Sequence, residues 1–383
     1  MSDDARERAE QRTLLMPRRE QGSELPRGFA LQEFVVDKVL GVGSSGIVYL
    51  AQDTKLGRRV ALKEFLPGTL AARAPTGEVV PRLPRFAEAY EKGLQSFINE
   101  ARLLGSFDHP SLVKVYRFWA DNGTAYMAMP YYEGITLKRW MADLGAPPSE
   151  KWLRQLAGSL MQALTVLHDR NCLHRDVAPD NILMLFDRSG SGSYLEQQPA
   201  PVLLDFGSAR RVVADATQHL TTLLKSGYSP VEQYDNDGAM LQGPWTDIYA
   251  LCAVLYTAAI GRVPNAAIAR VVRDDLVPAR VAGKGRYSPV FLAAIDAGLS
   301  VRPEKRPQTM ALLMKEFSRT EAPPEPAVTA PDAPRKAAPR KADRAMPIVA
   351  AKASTRKRLW RWGLGLGALL VLALVAYAVA ARR

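Results

Sequence analysis

The stretch that most constrains this chain is His174-Arg175-Asp176-Val177-Ala178-Pro179-Asp180-Asn181. It follows an apolar run ending at Cys172-Leu173 and leads into Ile182-Leu183-Met184-Leu185, so a polar octet is held between two segments that read as buried. A rigid scaffold presents a functional loop in this way. Within the octet, Asp176 and Asn181 stand five residues apart. That is close enough to serve one centre, with a carboxylate to take a hydroxyl proton and an amide oxygen to ligate a metal. Alone, the octet also reads as a surface turn rich in Asp, Asn and Pro.

Three further segments narrow the reading. Gly41-Val42-Gly43-Ser44-Ser45-Gly46-Ile47-Val48-Tyr49 lies upstream, Val60-Ala61-Leu62-Lys63 follows it, and Asp205-Phe206-Gly207 lies downstream of the octet. A lone GxGxxG also fits a dinucleotide fold or a plain flexible turn. The four segments in this order resemble the eukaryotic-like (bacterial) serine/threonine protein kinase family, over roughly Phe34 to Phe317.

That resemblance implies an α+β, bilobal, protein-kinase-like fold: an antiparallel β N-lobe with one regulatory helix, and a mainly α C-lobe. It implies ATP and Mg2+. Asp176 is then the base for the substrate hydroxyl, Asn181 and Asp205 the metal ligands, and Lys63 the clamp on the α and β phosphates. The loop Gly41, Val42, Gly43, Ser44, Ser45, Gly46 has little side-chain bulk, so its amides can close over a triphosphate. Glu100 is the ion-pair partner of Lys63, with Glu88 and Glu91 as competitors. Met129-Pro130-Tyr131-Tyr132 resembles the hinge, where the Pro130 carbonyl and the Tyr132 amide would pair with adenine. Proline keeps its carbonyl but lacks an amide, which suits the first position only. Val48, Ala61, Met129 and Leu183 would surround the purine.

Local patterns support this layout. Phe34 to Leu40 and Ile47 to Ala51 read as a hairpin, and Val60 to Phe65, Leu112 to Phe118 and Thr124 to Met129 as further strands. Leu94 to Phe107 reads as the regulatory helix, with Phe97, Ala101 and Leu104 on one face. From Leu137 the period is helical, with Trp152, Leu156, Leu160, Leu164 and Leu167 in one stripe. Pro67 to Gly93 reads as an insertion without clean periodicity, and Asp187 to Pro201 as a Gly/Ser-rich surface loop. The resemblance makes Asp247 an anchor beneath the catalytic loop and pairs Arg306 with Glu232.

Two departures from the family stand out. Pro230-Val231-Glu232 replaces the usual Ala-Pro-Glu, and Ala178 stands where a lysine usually neutralises the transferring phosphoryl group. Counting back seven residues from Glu232 reaches Lys225, at a position where the family usually has threonine. Lys225 is thus a candidate catalytic cation; the alternative is a solvated loop lysine. Arg175 commonly pairs with a phosphate on the activation segment, for which Thr221 and Thr222, then Thr217, are candidates.

Composition matters mainly at the end of the chain. The formal net charge is +12, but residues 321–383 hold 12 Lys and Arg against 4 Asp and Glu, so +8 of it lies there. No basic helix with interleaved aromatics or zinc-finger spacing occurs in the globular part, which argues against nucleic acid as a partner. Cys172 and Cys252 sit in apolar runs eighty residues apart and read as buried thiols rather than a disulfide or metal site.

The domain reading is a mobile charged arm at 1–30, a kinase domain at 31–319, a linker rich in Pro, Ala, Lys and Arg at 320–358, and a transmembrane helix at 359–381. Gly363 to Ala381 runs nineteen residues without a charge, about 28 Å as a helix, flanked by Trp360, Trp362 and Arg356-Lys357-Arg358. The expectation is a single-pass cell-membrane protein with its kinase domain in the cytoplasm. Gly363 and Gly367 form a small-xxx-small pair that suggests a homodimer. The activity expected is ATP-dependent phosphorylation of protein substrates, including the chain itself. A pseudokinase scaffold and a small-molecule phosphotransferase are the alternatives.

Overall fold

The computed structural model describes residues 23–186, 193–205, 224–235 and 240–320. Its first part is a six-stranded antiparallel sheet. The strands are β1 (Ala30–Leu31), β2 (Phe34–Val42), β3 (Gly46–Asp53), β4 (Arg58–Phe65), β7 (Arg117–Asp121) and β8 (Thr124–Pro130), in the order β1-β2-β3-β4-β8-β7. A small hairpin, β5 (Ala71–Arg73) with β6 (Val79–Pro81), and helix α1 (Ala87–Gly105) lie between β4 and β7 in sequence. Asn122 and Gly123 both have positive φ between β7 and β8, the conformation that a two-residue hairpin turn requires.

The sheet separates two apolar layers. Leu25, Leu31, Phe34, Val36, Tyr49, Trp119 and Tyr126 cluster together, and Phe34, Trp119 and Tyr126 stack in series. Phe65, Phe97, Ala101, Leu104 and Met127 belong instead to the large core that continues into the helical lobe. Alternation along the strands produces this division, because successive side chains point to opposite faces. Residues 23–29 are thereby part of the packed lobe, with Leu25 buried and its amide donating to the Tyr49 hydroxyl at 3.1 Å.

The second lobe is mainly helical. Helix α2 (Leu137–Asp143) and α3 (Glu150–His168) follow a short three-stranded sheet edge, β9 (Gly134–Thr136), which pairs with β10 (Ile182–Leu185), itself paired with β11 (Ala200–Leu203). Ser149 caps α3 by accepting from the Trp152 amide, and the stripe Trp152, Leu156, Leu160, Leu164, Leu167 is buried. Helix α4 (Pro244–Ile260) is apolar on every side, as a central helix must be; it starts at Pro244 and ends at Gly261 with φ +77°. Helices α5 (Pro289–Gly298) and α6 (Met310–Phe317) pack around it.

Three expectations are corrected. Helix α1 begins at Ala87, seven residues earlier than the apolar stripe suggests, because its first two turns turn only Tyr90 and Gly93 inward. The segment from Leu112 to Tyr116 is not a strand: Leu112 makes one bridge to Leu203, and the strand starts at Arg117. Leu112 and Val113 are buried from an irregular backbone, so their pattern imitates a strand.

The third correction concerns the membrane. Among the described residues no helix is long and apolar enough to cross a membrane. Residues 359–381, where the span was placed, lie outside the described residues, as do most of the arm, the linker and the Gly363/Gly367 pair. The described residues support the bilobal fold and give no support to the expected C-terminal transmembrane helix. The membrane partner and single-pass cell-membrane location rested on that span and are likewise without support from the described residues. The expectation rested on hydropathy, which measures how apolar a run is and does not by itself establish a spanning helix.

Candidate active site

Strand β4 carries Lys63 on the same sheet face as Ala61, and the register sets Val48 of β3 opposite Lys63. The Lys63 ammonium lies 2.6 Å from Asp205 Oδ1 and 3.8 Å from Glu100 Oε1. Glu100 is one helical turn before Leu104 on the buried face of α1, whereas Glu88 is exposed and paired with Lys92 at 2.7 Å. Burial opposes the charge on Lys63, yet Asp205 and Glu100 outweigh it and hold its pKa above the usual lysine value.

The octet is held from below by one carboxylate. Asp247, fully buried near the start of α4, accepts from the His174 amide at 2.9 Å and the Arg175 amide at 2.8 Å, and lies 2.8 Å from His168 Nε2. Arg175 is held at φ +63°, a left-handed conformation unusual for a side chain of that size. His174 sits between loop and strand, with Nε2 3.0 Å from the Leu204 carbonyl and Nδ1 3.3 Å from the Asp176 amide. A carbonyl only accepts and an amide only donates, so these partners assign the proton to Nε2. Burial lowers the His174 pKa, which keeps the ring neutral.

Asp176 is fixed by Asn181. The Asn181 amide nitrogen donates to the Asp176 carbonyl at 2.9 Å and to Asp176 Oδ2 at 2.6 Å, which commits the nitrogen to Asp176 and makes Oδ1 the atom that could ligate a metal. Asp205, the other proposed ligand, follows β11 and has φ +46°. The Lys225 ammonium comes within 3.3 Å of Asp176 Oδ1 and 2.9 Å of Asp180 Oδ1.

The glycines of the loop differ in what they are for. A Cβ on Gly46 would stand 1.8 Å from the Glu64 carbonyl, so strand packing alone demands glycine there. At Gly41 a Cβ would meet nothing, and at Gly43 only the Gly46 carbonyl at 3.9 Å, so packing does not explain either. The loop is closed by the Gly43 amide donating to Gly46 at 2.8 Å; Val42 is exposed, and Ser44 and Ser45 are half-buried. Met129 and Pro130 end β8 beside Ala61 and Val60, leading into half-buried Tyr132, while Leu183 lies on β10. Phe206, Gly207, Thr217, Thr221 and Thr222 lie outside the described residues.

At the base of the site Glu232 and Arg306 form a dry fork-to-fork pair at 2.6 and 3.1 Å, and Thr246 donates to Glu232 at 2.9 Å. Sequence reasoning missed Gln233, whose side chain donates to the Arg175 carbonyl at 2.7 Å and ties the catalytic loop to the activation segment. Its place beside Glu232 was the available signal.

The protein kinase domain family matches residues 34–318. The chain belongs to this family. Among curated relatives, this kinase domain is similar to the serine/threonine-protein kinase PknB of Mycobacterium tuberculosis, 29% identical over 322 residues, covering 79% of this chain and 45% of that protein. It is also similar to PrkC of Bacillus subtilis, 29% identical over 228 residues, covering 59% of this chain and 30% of that protein. The chain thus spans less than half the length of these relatives. Among solved structures, PpkA-294 in its apo form is 40% identical with a TM-score of 0.68, covering 77% of this chain and all of that one. The PknI kinase domain of Mycobacterium tuberculosis, 23% identical with a TM-score of 0.54 over 77% of this chain and 98% of its own, shows the shared fold. This is a kinase domain of the bacterial eukaryotic-like serine/threonine class, whose members use ATP and Mg2+.

Proposed function

We propose that this kinase domain transfers the γ-phosphoryl group of ATP to serine and threonine hydroxyls of proteins, its own included. The observation that carries the reading is the convergence of two constellations: Lys63 shared between Asp205 and Glu100, and Asp176 braced by Asn181. Lys63 and the 41–46 loop position the phosphates. Val48, Ala61, Met129 and Leu183 surround the purine, with the Pro130 carbonyl and Tyr132 amide as its polar partners.

Asp176 accepts the proton of the attacking hydroxyl. A bond forms from that oxygen to the γ-phosphorus, the bond to the β–γ bridging oxygen breaks, and ADP leaves. Asn181 Oδ1 and the Asp205 carboxylate are hard oxygen donors of the kind Mg2+ takes one or two of, beside water and phosphate, so the donor set suits that ion. When bound, Mg2+ neutralises charge on the phosphates.

One feature favours a pseudokinase scaffold instead: Ala178 in place of the usual cation. The test is transfer of label from γ-32P-ATP to the chain and to a seryl/threonyl protein substrate. Transfer abolished by chelating Mg2+ is expected. ATP binding without transfer would establish the scaffold.

A further inference from the structure

We infer that Lys225 reaches from the activation segment and supplies the catalytic cation that the loop lacks at Ala178. The inference rests on the phosphoryl-transfer reading and deepens it.

Ala178 is wholly buried and offers only a methyl group. The Lys225 ammonium is bound by Asp176 and Asp180, the residues two before and two after Ala178, so it spans the stretch from which a side chain at 178 would otherwise supply charge. A solvated loop lysine would trail into water; this one is 17% exposed and bent onto the base. The other ammonium of the site, Lys63, is already shared between Asp205 and Glu100. Without Lys225, the hydroxyl-accepting side of the site would hold two carboxylates and face a phosphoryl group whose own oxygens are negative. A cation there is worth most in the transition state, when charge spreads over those oxygens.

The root of Lys225 is fixed as a catalytic group requires. Its amide donates to Ser229 Oγ at 3.1 Å, and its carbonyl accepts from the amides of Tyr228 and Ser229 at 2.9 Å each. Gly227 closes this turn at φ +85°, and a Cβ there would stand 2.5 Å from the Pro264 carbonyl, so only glycine fits. Ser229 is buried, and Glu232, three residues on, is locked to Arg306. The turn therefore delivers the ammonium to Asp176 from a packed foundation rather than from a free loop. Catalytic competence becomes a property of this turn as well as of the loop.

The experiment uses the full chain. Lys225→Met should lower kcat about 100-fold or more, while the dissociation constant of a fluorescent ATP analogue and the melting temperature stay at wild-type values. Lys225→Cys should be equally slow, and alkylation with 2-bromoethylamine, which rebuilds a lysine-like ammonium, should recover at least tenfold. Treated wild type controls for the native thiols; Cys252 is buried, and burial raises the pKa of half-buried Cys172 to about 11, so both resist alkylation. Undiminished kcat in Lys225→Met, or slow Lys225→Cys that alkylation leaves slow, overturns the inference. So does loss of ATP binding or melting temperature in parallel with kcat, which would mark Lys225 as a strut. Wild type that binds ATP but transfers nothing fails the underlying reading instead, and is told apart because it fails before any variant is compared.

Discussion

Each lobe contains a buried carboxylate–guanidinium pair, and the two are built differently. In the helical lobe Glu232 and Arg306 meet fork to fork with both side chains fully buried, and the guanidinium also donates to the carbonyls of Ser300, Val301 and Trp245. In the sheet lobe Glu64 receives a single Arg73 nitrogen on both oxygens, at 2.6 and 2.7 Å, and the Tyr49 hydroxyl at 2.9 Å; Arg73 also reaches the carbonyls of Ser23 and Gly77. The lower pair joins residues 74 apart and locks the activation segment to the end of the domain. The upper one joins residues nine apart, but through Tyr49, Leu25 and Ser23 it clips the insertion hairpin and the N-terminal segment onto β4, beside Lys63. The same chemistry thus fastens the activation segment in one lobe and the hairpin between β4 and α1 in the other.

Removing each cation tests that comparison. Arg306→Ala leaves a dry Glu232 carboxylate with the Thr246 hydroxyl but no cation, and is expected to lose about 3–5 kcal/mol of unfolding free energy in urea. Arg73→Ala is expected to lose about 3 kcal/mol, at the lower end of the same range, because Arg73 keeps slight solvent exposure and gives up two backbone carbonyls where Arg306 gives up three. Equal losses would erase the distinction, and a loss below about 1 kcal/mol at Arg73 would make the upper pair an ordinary surface contact. Tyr49→Phe sharpens it further: removing one donor to a buried carboxylate should lose about 1.5 kcal/mol.

Acid should separate the regions last and least. Burial lowers the His174 pKa, so on unfolding the ring takes up a proton that the folded protein excludes. Its contribution is present above the unfolded value of about 6.5 and is lost as pH falls below it, with a slope of at most about 1.4 kcal/mol per pH unit. Asp247 works in the same direction at lower pH: burial raises its pKa, but His168, His174 and the Arg175 amide outweigh this and hold it below the usual value. Among the described residues no histidine belongs to the Glu64, Arg73 and Tyr49 network. Urea titrations from pH 7.5 to 5.5 should show falling stability in wild type; a flat profile would mean that His174 is not held neutral.

The two pairs also show what was legible in the sequence. Glu232 and Arg306 stand within segments whose order is recognisable, so their partnership could be expected before any coordinates. Arg73 lies in a stretch broken by prolines, and Glu64 follows Lys63 as an unremarkable strand glutamate; nothing local announces that the turn from β4 into β5 brings them together. The same limit explains the start of α1, whose first turns carry no apolar stripe, and the false strand at Leu112. Lys225 is reached only by counting from Glu232, since a lone lysine in a loop carries no signal of its own. The distance of 3.3 Å to Asp176 is a tertiary fact.

The most direct test of the whole account is γ-phosphoryl transfer by Asp176→Asn and Lys63→Met beside wild type, with Mg2+ present and folding checked by melting. If Asp176 is the base and Lys63 the phosphate clamp, both variants stay folded and transfer falls by at least about 100-fold. Near-normal turnover in either folded variant would contradict the assignment of the site.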